Sequence, residues 1–317
     1  MDITTLGELL IDFTSVGNSA TGMRLFEQNP GGAPANVAVA GARLGLNTAF
    51  IGKVGGDMHG AFLRSVLDRE GVDTRGLITD AECRTTLAFV SLDESGEREF
   101  SFYRGGSADV RLTPDEVDAE LIASSKILHI GTLSLTDEPA RSATFRAIEL
   151  AKRVGAIVSC DVNYRAQLWR SEAEFCGHTA ELLRFADMVK VSEEEAALLT
   201  GCGDPQAAAN ALLDTYDLRV AAVTSGERGS YVLTRRGGVA VPAIETPAID
   251  TTGAGDSYWA GFLYSFLQSG AALDELDAAS AARFARFGSA AASVCVERHG
   301  AIPAVPTLGE VLARLGE

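Results

Sequence analysis

Lys126-Ile-Leu-His-Ile130, a stretch of helical period from Pro139 to Gly155, and then Ala156-Ile-Val-Ser-Cys160 decide the fold of this chain. A short β-rich run, a helix closed by glycine and a second β-rich run make one strand–helix–strand unit. The rhythm continues through Met188-Val-Lys-Val191 and Arg219-Val-Ala-Ala-Val223, again with helical stretches between them. Short apolar runs joined by helices build a parallel sheet covered on its faces. The expected fold class is therefore α/β, three layers, with a mostly parallel central sheet between helices. Ligands of such sheets gather beyond the carboxyl ends of the strands. Asp161, Asn163, Arg165, Ser192, Glu195, Thr224 and Gly226 all follow such runs. His129, inside an apolar run, reads as a strand residue and not as a catalyst.

Two segments break the rhythm. Residues 13–30 follow the first strand without a helical period. Residues 84–108 contain a hairpin pattern, Thr86 to Leu92 and Arg98 to Arg104 around the polar turn Asp93-Glu-Ser-Gly96. Neither hairpin stands alone in water. Together they are expected to form a small β-sheet lid over the mouth of the large sheet, within one domain spanning 1–317. Between them Pro34 opens a helix that stops at Gly45, with proline near its start and glycine past its end.

The chemistry concentrates in Asp250-Thr-Thr-Gly-Ala-Gly-Asp-Ser257. Trp259, Phe262, Leu263, Phe266 and Leu267 follow at the spacing of one buried helical face, so the glycines lie at a helix N-terminus. There the N–H groups of Gly253, Ala254 and Gly255 converge where the helix dipole favours an anion. Asp256 at the rim suits proton removal from a hydroxyl while the turn stabilises a phosphoryl group in transfer. A bland surface turn is the competing reading for a lone Gly-Ala-Gly-Asp. No Lys-Ser or Lys-Thr follows, so it is not a nucleotide P-loop. Tyr258 stands where a dinucleotide fingerprint needs its third glycine.

Composition narrows the partners. A formal charge of −16 disfavours nucleic acid and anionic membranes as general partners, while leaving room for a local basic phosphate site. Five scattered cysteines without a C-x-x-C pair suit reduced thiols in the cytoplasm better than zinc or disulfides. The first 20 residues lack a signal-peptide pattern, and Ser257 to Leu273 reads as a core helix, not a membrane span.

With these residues in view, the chain resembles the ribokinase-like (PfkB) carbohydrate kinases, fructokinases most of all. Gly31-Gly-Ala-Pro-Ala-Asn36, Arg43-Leu-Gly45 and Gly52-Lys-Val-Gly-Gly-Asp57 match the amino-terminal signature; Asp250 to Asp256 match the carboxy-terminal one. Gly7-Glu-Leu-Leu-Ile-Asp-Phe13, Ser101-Phe-Tyr-Arg104 and Ser107-Ala-Asp109 look like the fructokinase branch. The resemblance implies ATP and Mg²⁺ as cofactors, a small sugar as substrate, and a homodimer through the lid.

It also implies roles. Asp256 is the expected base, and Gly253, Ala254 and Gly255 the anion hole. Asp12, Gly32 and Asn36 bind sugar hydroxyls, with Phe102 and Arg104 covering the sugar from the lid and Arg165 beside it. Asn163, Lys190, Ser192, Glu195, Thr224, Gly226, Gly229 and Ser289 lie on the nucleotide side, where Glu195 serves Mg²⁺ through water. Ser192 replaces an Asn of the family motif, and Ser289 an adenine-side Asn. Carbonyls of Asp250 and Thr252, beside Cys295-Val-Glu-Arg-His-Gly-Ala301, either hold K⁺ or form an ordinary strand-to-turn connection. The leading expectation is phosphorylation of fructose at a primary hydroxyl. The alternatives are a 2-keto-3-deoxygluconate or riboside kinase, and a non-catalytic sugar-binding protein on this fold.

Overall fold

Alternation along the central strands sends apolar side chains to both faces of one sheet. In the strand Val220–Thr224, Val220 and Ala222 join one buried cluster while Ala221 and Val223 join another. The same split divides Ile127 from Leu128 and Met188 from Val189. A sheet apolar on both faces needs a helical layer on each side. The computed structural model describes residues 1–92 and 98–317, so the turn expected at Asp93–Gly96 lies outside the described residues.

The order is β1 (Ile3–Leu6), β2 (Leu10–Asn18), β3 (Arg24–Gly31), α1 (Ala33–Arg43), β4 (Thr48–Gly55), α2 (Met58–Arg69), β5 (Leu77–Asp80), β6 (Leu87–Leu92) and β7 (Arg98–Tyr103). There follow α3 (Ala119–Ala123), β8 (Ile127–Gly131), α4 (Ala140–Val154), β9 (Ile157–Asp161), α5 (Glu172–Leu183), β10 (Met188–Ser192) and α6 (Glu193–Thr200). The chain ends with α7 (Pro205–Tyr216), β11 (Val220–Thr224), β12 (Ser230–Thr234), β13 (Gly237–Val241), α8 (Ala254–Ser269), α9 (Ala278–Cys295) and α10 (Leu308–Leu315).

Among the described residues nine strands form the large sheet in the order β13-β12-β11-β10-β9-β8-β1-β4-β5, and only β12 runs against the others, antiparallel to both β11 and β13. Helices α3 to α7 cover one face; α8 and α9 cover the other. Because β1 lies between β4 and β8, winding proceeds in opposite directions from it. The carboxyl ends of β1 and β8 therefore open a crevice at the switch point.

Four further strands make a separate sheet in the order β3-β2-β6-β7. The two irregular segments do pair with one another, through the parallel contact of Ile11 with Leu87 and of Thr14 with Val90. The small sheet starts earlier than the periodicity indicates: β2 begins at Leu10, which carries Asp12 into the sheet itself.

Helix α8 also differs from the expected one-sided amphipathic helix. Every residue from Ser257 to Leu263 is buried. Its other side is covered by α1, through Val37, Ala40 and Ala260, and by α9. The approach to α9 uses glycines, because a Cβ on Gly288 would lie 2.5 Å from the Tyr258 carbonyl oxygen. His129 sits in this core as expected of a strand residue. Its Nδ1 pairs with the Ser159 hydroxyl at 3.1 Å, and the Trp259 indole N–H donates to the same oxygen. Burial lowers its pKa to about 4, so the ring is neutral. No cysteine among the described residues is in a disulfide, and no helix among them is long and apolar enough to cross a membrane.

Candidate active site

A cleft of about 300 Å³ opens at the switch point. Glu8 enters it after β1, Leu133 after β8, Asn163 and Arg165 after β9, and Lys190 from β10. Asp12 and Phe102 enter from the small sheet, and Gly32 and Asn36 from the start of α1. Thr251, Thr252, Gly253, Gly255 and Asp256 close the opposite wall. Residues as far apart as Glu8 and Asp256 thus meet in one cavity because the fold brings strand ends and one helix N-terminus together.

The glycine turn is built for close approach. Gly253 caps α8 in the left-handed region at φ 77°, where a side chain is disfavoured. Asp250 ties the turn down, accepting from the N–H of Thr252 at 2.7 Å and of Gly300 at 3.0 Å. One member of the expected anion hole is already engaged: the Ala254 N–H donates to the Thr251 carbonyl at 3.2 Å, closing the turn. Gly253 and Gly255 line the cleft without it.

Asp256 stands at the rim of this turn. Asn36 donates from Nδ2 to Asp256 Oδ2 at 2.7 Å, which orients the carboxylate. Burial, and then the charge of Asp161, push its pKa up to about 6; Asn36, Lys190 and Arg165 oppose the rise. A carboxylate poised just below neutrality is still ionised at pH 7 and accepts a proton more readily than an ordinary aspartate. Asn36 is thus a partner of Asp256 as well as a cleft residue. Asp12 is likewise pushed up to about 7 by burial, against the pull of Arg165. Its place depends on Gly31, where a Cβ would fall 2.3 Å from Asp12 Oδ2.

Several sequence expectations need correction. Arg104 does not point in from the lid to cover a sugar. It is buried, with Nε donating to Asp109 at 2.7 Å and the two terminal nitrogens to Thr136 Oγ1 and the Leu133 carbonyl. A guanidinium pays for burial only when its fork is matched, and Asp109 and the Leu133 turn match it here. Its effect on the cleft passes through Leu133. Glu195 is also more constrained than a free magnesium-side carboxylate. Its two oxygens accept from the N–H groups of Tyr164 and Ser192, at 2.6 and 2.8 Å, while Ser192 Oγ accepts from the Glu195 N–H. Ser192 and Glu195 form a capping box for α6, a pattern visible in Ser-x-x-Glu.

Thr224, Gly226 and Gly229 do not line the cleft. Thr224 ends β11, opposite Ser192 in the sheet register, and Gly226 and Gly229 follow it. Gly229 is required by packing, since a Cβ there would meet the Val241 carbonyl oxygen at 2.1 Å. Ser289 is buried within α9 and does not line this cleft.

The sequence gives no sign of a role for Glu8, nor of the pairing of Asp161 with Lys190. Glu8 is buried, its Oε1 accepting from the Ala33 N–H at 2.9 Å, and burial raises its pKa to about 7. Asp161 receives two hydrogen bonds from Lys190 Nζ, at 2.7 and 2.9 Å, in a buried pair. Both rest on contacts between residues distant in the chain, which local sequence does not display.

Comparison with known proteins adds the decisive observation. The pattern of the pfkB family carbohydrate kinases matches residues 2–308. The chain belongs to the pfkB family of carbohydrate kinases. Probable fructokinase-3 of Arabidopsis thaliana is 42% identical over 315 residues, covering 99% of this chain and 91% of the relative. Among solved structures, fructokinase with bound ATP from Xylella fastidiosa superposes with a TM-score of 0.90 at 36% identity, covering 99% of this chain and 98% of that one. Fructokinase of Vibrio cholerae O395, in its fructose, ADP and calcium form, gives 0.86 at 32% identity over 99% of both chains. Its double mutant, with fructose, ADP and potassium, gives the same score and identity, over 99% of this chain and 98% of that one. This pfkB member is accordingly a sugar phosphotransferase of fructokinase type, and its fold is ribokinase-like.

Proposed function

We propose that this pfkB enzyme transfers the γ-phosphoryl group of ATP to a primary hydroxyl of fructose. The observation carrying this reading is Asp256: a buried carboxylate oriented by Asn36 at 2.7 Å, beside the Gly253–Gly255 turn, with its pKa raised to about 6. Asp256 takes the proton of the attacking hydroxyl, and the turn receives the charge of the transferring group. Asp12, the Gly32 backbone and Asn36 suit a neutral polyol, which offers donors and acceptors but no charge. Arg104, held by Asp109, is not free to meet an acid substrate, so the 2-keto-3-deoxygluconate alternative would rest on Arg165 without it. A panel of sugars in a coupled ADP-release assay tests the assignment. Fructose is expected to give the highest kcat/KM, and preference for another sugar would reassign the substrate.

The nucleotide side fits phosphates: Asn163, Arg165 and Lys190 line the same cleft as the turn. Among the described residues no group of three or more acidic, His or Cys side chains forms a cage for a metal. The arrangement fits Mg²⁺ that keeps its waters and arrives with the phosphates, with Glu195 behind that water shell. Bound, the ion would neutralise phosphate charge. The Asp250 and Thr252 carbonyls are the proposed K⁺ donors. Equal activity in K⁺ and in a bulky organic cation, at equal ionic strength, would leave that loop as scaffold.

The small sheet is proposed to act as a lid and as the contact with a second copy of the chain. Supporting the contact, Val16, Met23, Leu25, Phe26 and Tyr103 are all exposed on it, and β3 and β7 are open edges. Free thiols suit a reducing compartment, the cytoplasm.

A further inference from the structure

Lys190 is a buried ammonium in a strand whose neighbours Val189 and Val191 are fully covered. Its direct partner is Asp161, the residue opposite it in the parallel register of β9 and β10. The two form a bidentate pair at 2.7 and 2.9 Å, both nearly sealed from water. Such pairs seldom stabilise a fold more than apolar residues of the same volume would, because desolvation offsets the attraction. The position of this pair is informative. Lys190 Nζ would lie 2.9 Å from a Cβ built on Gly255, so the ammonium sits directly against the anion turn. It also lines the cleft beside Asp256, while Asp161 lies behind it.

We propose that Asp161 and Lys190 form an oriented charge pair whose positive end serves the phosphoryl-transfer site. Asp161 holds the ammonium against Gly255, and Lys190 presents its charge to the anion at the turn and to the Asp256 carboxylate. Gly255 is then needed for two reasons: backbone approach to the anion, and room for Lys190. This inference rests on the kinase reading above and adds positioning residues to it.

The electrostatic surroundings give the proposal a signed consequence. Asp256 faces Asn36 from α1, Asp161 from β9, Lys190 from β10, Arg165 from the loop after β9, Asp12 from β2 and Cys295 from α9. Asp161 raises the pKa of Asp256 and Lys190 lowers it. Asp161→Asn removes the raising charge and leaves Lys190 facing Asp256. The acid limb of kcat/KM then moves to lower pH. Adding Lys190→Met removes the lowering charge as well, and the limb moves back up. The double variant, with no buried charge left in the pair, keeps its fold but loses about a hundredfold in kcat, the scale of one anion-stabilising donor.

The experiment compares pH profiles of kcat/KM for the full chain, Asp161→Asn and the double variant, with Tm measured for each. Wild-type fructose phosphorylation is recorded first, since its absence would defeat the kinase reading and not this one. With an active wild type, opposite movements of the acid limb in the two variants support the charge pair. Acid limbs that coincide in all three proteins, or a double variant within threefold of wild-type kcat, overturn it. Should Asp161→Asn fail to fold, the double variant decides through kcat at unchanged Tm.

Discussion

Asp256 concentrates the consequences at the scale of single residues. Asp256→Asn keeps the shape and the Asn36 contact region but removes the proton acceptor, so kcat should fall about 10²–10⁴-fold with little change in nucleotide or fructose binding. Steady-state kinetics with calorimetric binding checks this; more than a tenth of the activity remaining would move the base elsewhere. The sign of the pH dependence follows from the raised pKa of about 6. The base works ionised, so kcat/KM should be present at pH 7 and decline as pH falls through about 6. Asp12 and Glu8, each pushed up to about 7 by burial, titrate close by, so the limb belongs to the group and not to one carboxyl. A flat profile between pH 5 and 7 would contradict this. Much of the site was legible in the sequence, because Gly253, Gly255 and Asp256 are neighbours on one turn. Arg104 was misread because its partners, Asp109, Thr136 and the Leu133 carbonyl, are set by tertiary packing and not by its place on a hairpin. The Lys190–Asp161 pair was missed for the same reason: 29 positions separate the two residues, and only strand register joins them.

Local elements were legible wherever the pattern was local. The α4 helix ends at Gly155 in a left-handed cap at φ 75°, as its glycine indicated. The α1 helix carries Pro34 in its first turn for the matching reason at the other end. Short strands lacking a hydrophobic run, such as β5 and β13, were invisible until their partners were known. The small sheet lies between these cases. Its hairpins are local, but the β2–β6 pairing that fuses them spans from Ile11 to Leu87. Because Asp12 and Phe102 reach the cleft from this sheet, fructose should hold it against the large one. Amides of β6 and β7 are expected to exchange more slowly in saturating fructose. Unchanged exchange by mass spectrometry would remove the lid role and leave a fixed wall.

At the scale of the whole molecule, the exposed apolar side chains of the small sheet make self-association the expected way to cover its edges. Sedimentation should give a dimer, and Phe26→Asp with Val16→Asp should shift it toward monomer; a wild-type monomer at micromolar concentration would rule the contact out. A different use follows from the core chain that links His129, Ser159 and Trp259. The protein has two tryptophans, and both are covered: Trp259, on α8, is fully buried, and Trp169 packs edge-on against Phe175 in the segment after Arg165. Each therefore emits light from its own dry environment. A Trp259→Phe variant should leave an indole whose fluorescence follows ATP arriving at the Asn163–Arg165 loop. A Trp169→Phe variant should leave one that ignores ligands and reports only loss of the core. Two colourless substitutions would thus turn one chain into separate optical gauges of binding and unfolding, and identical responses from both would show that the core senses the nucleotide as well.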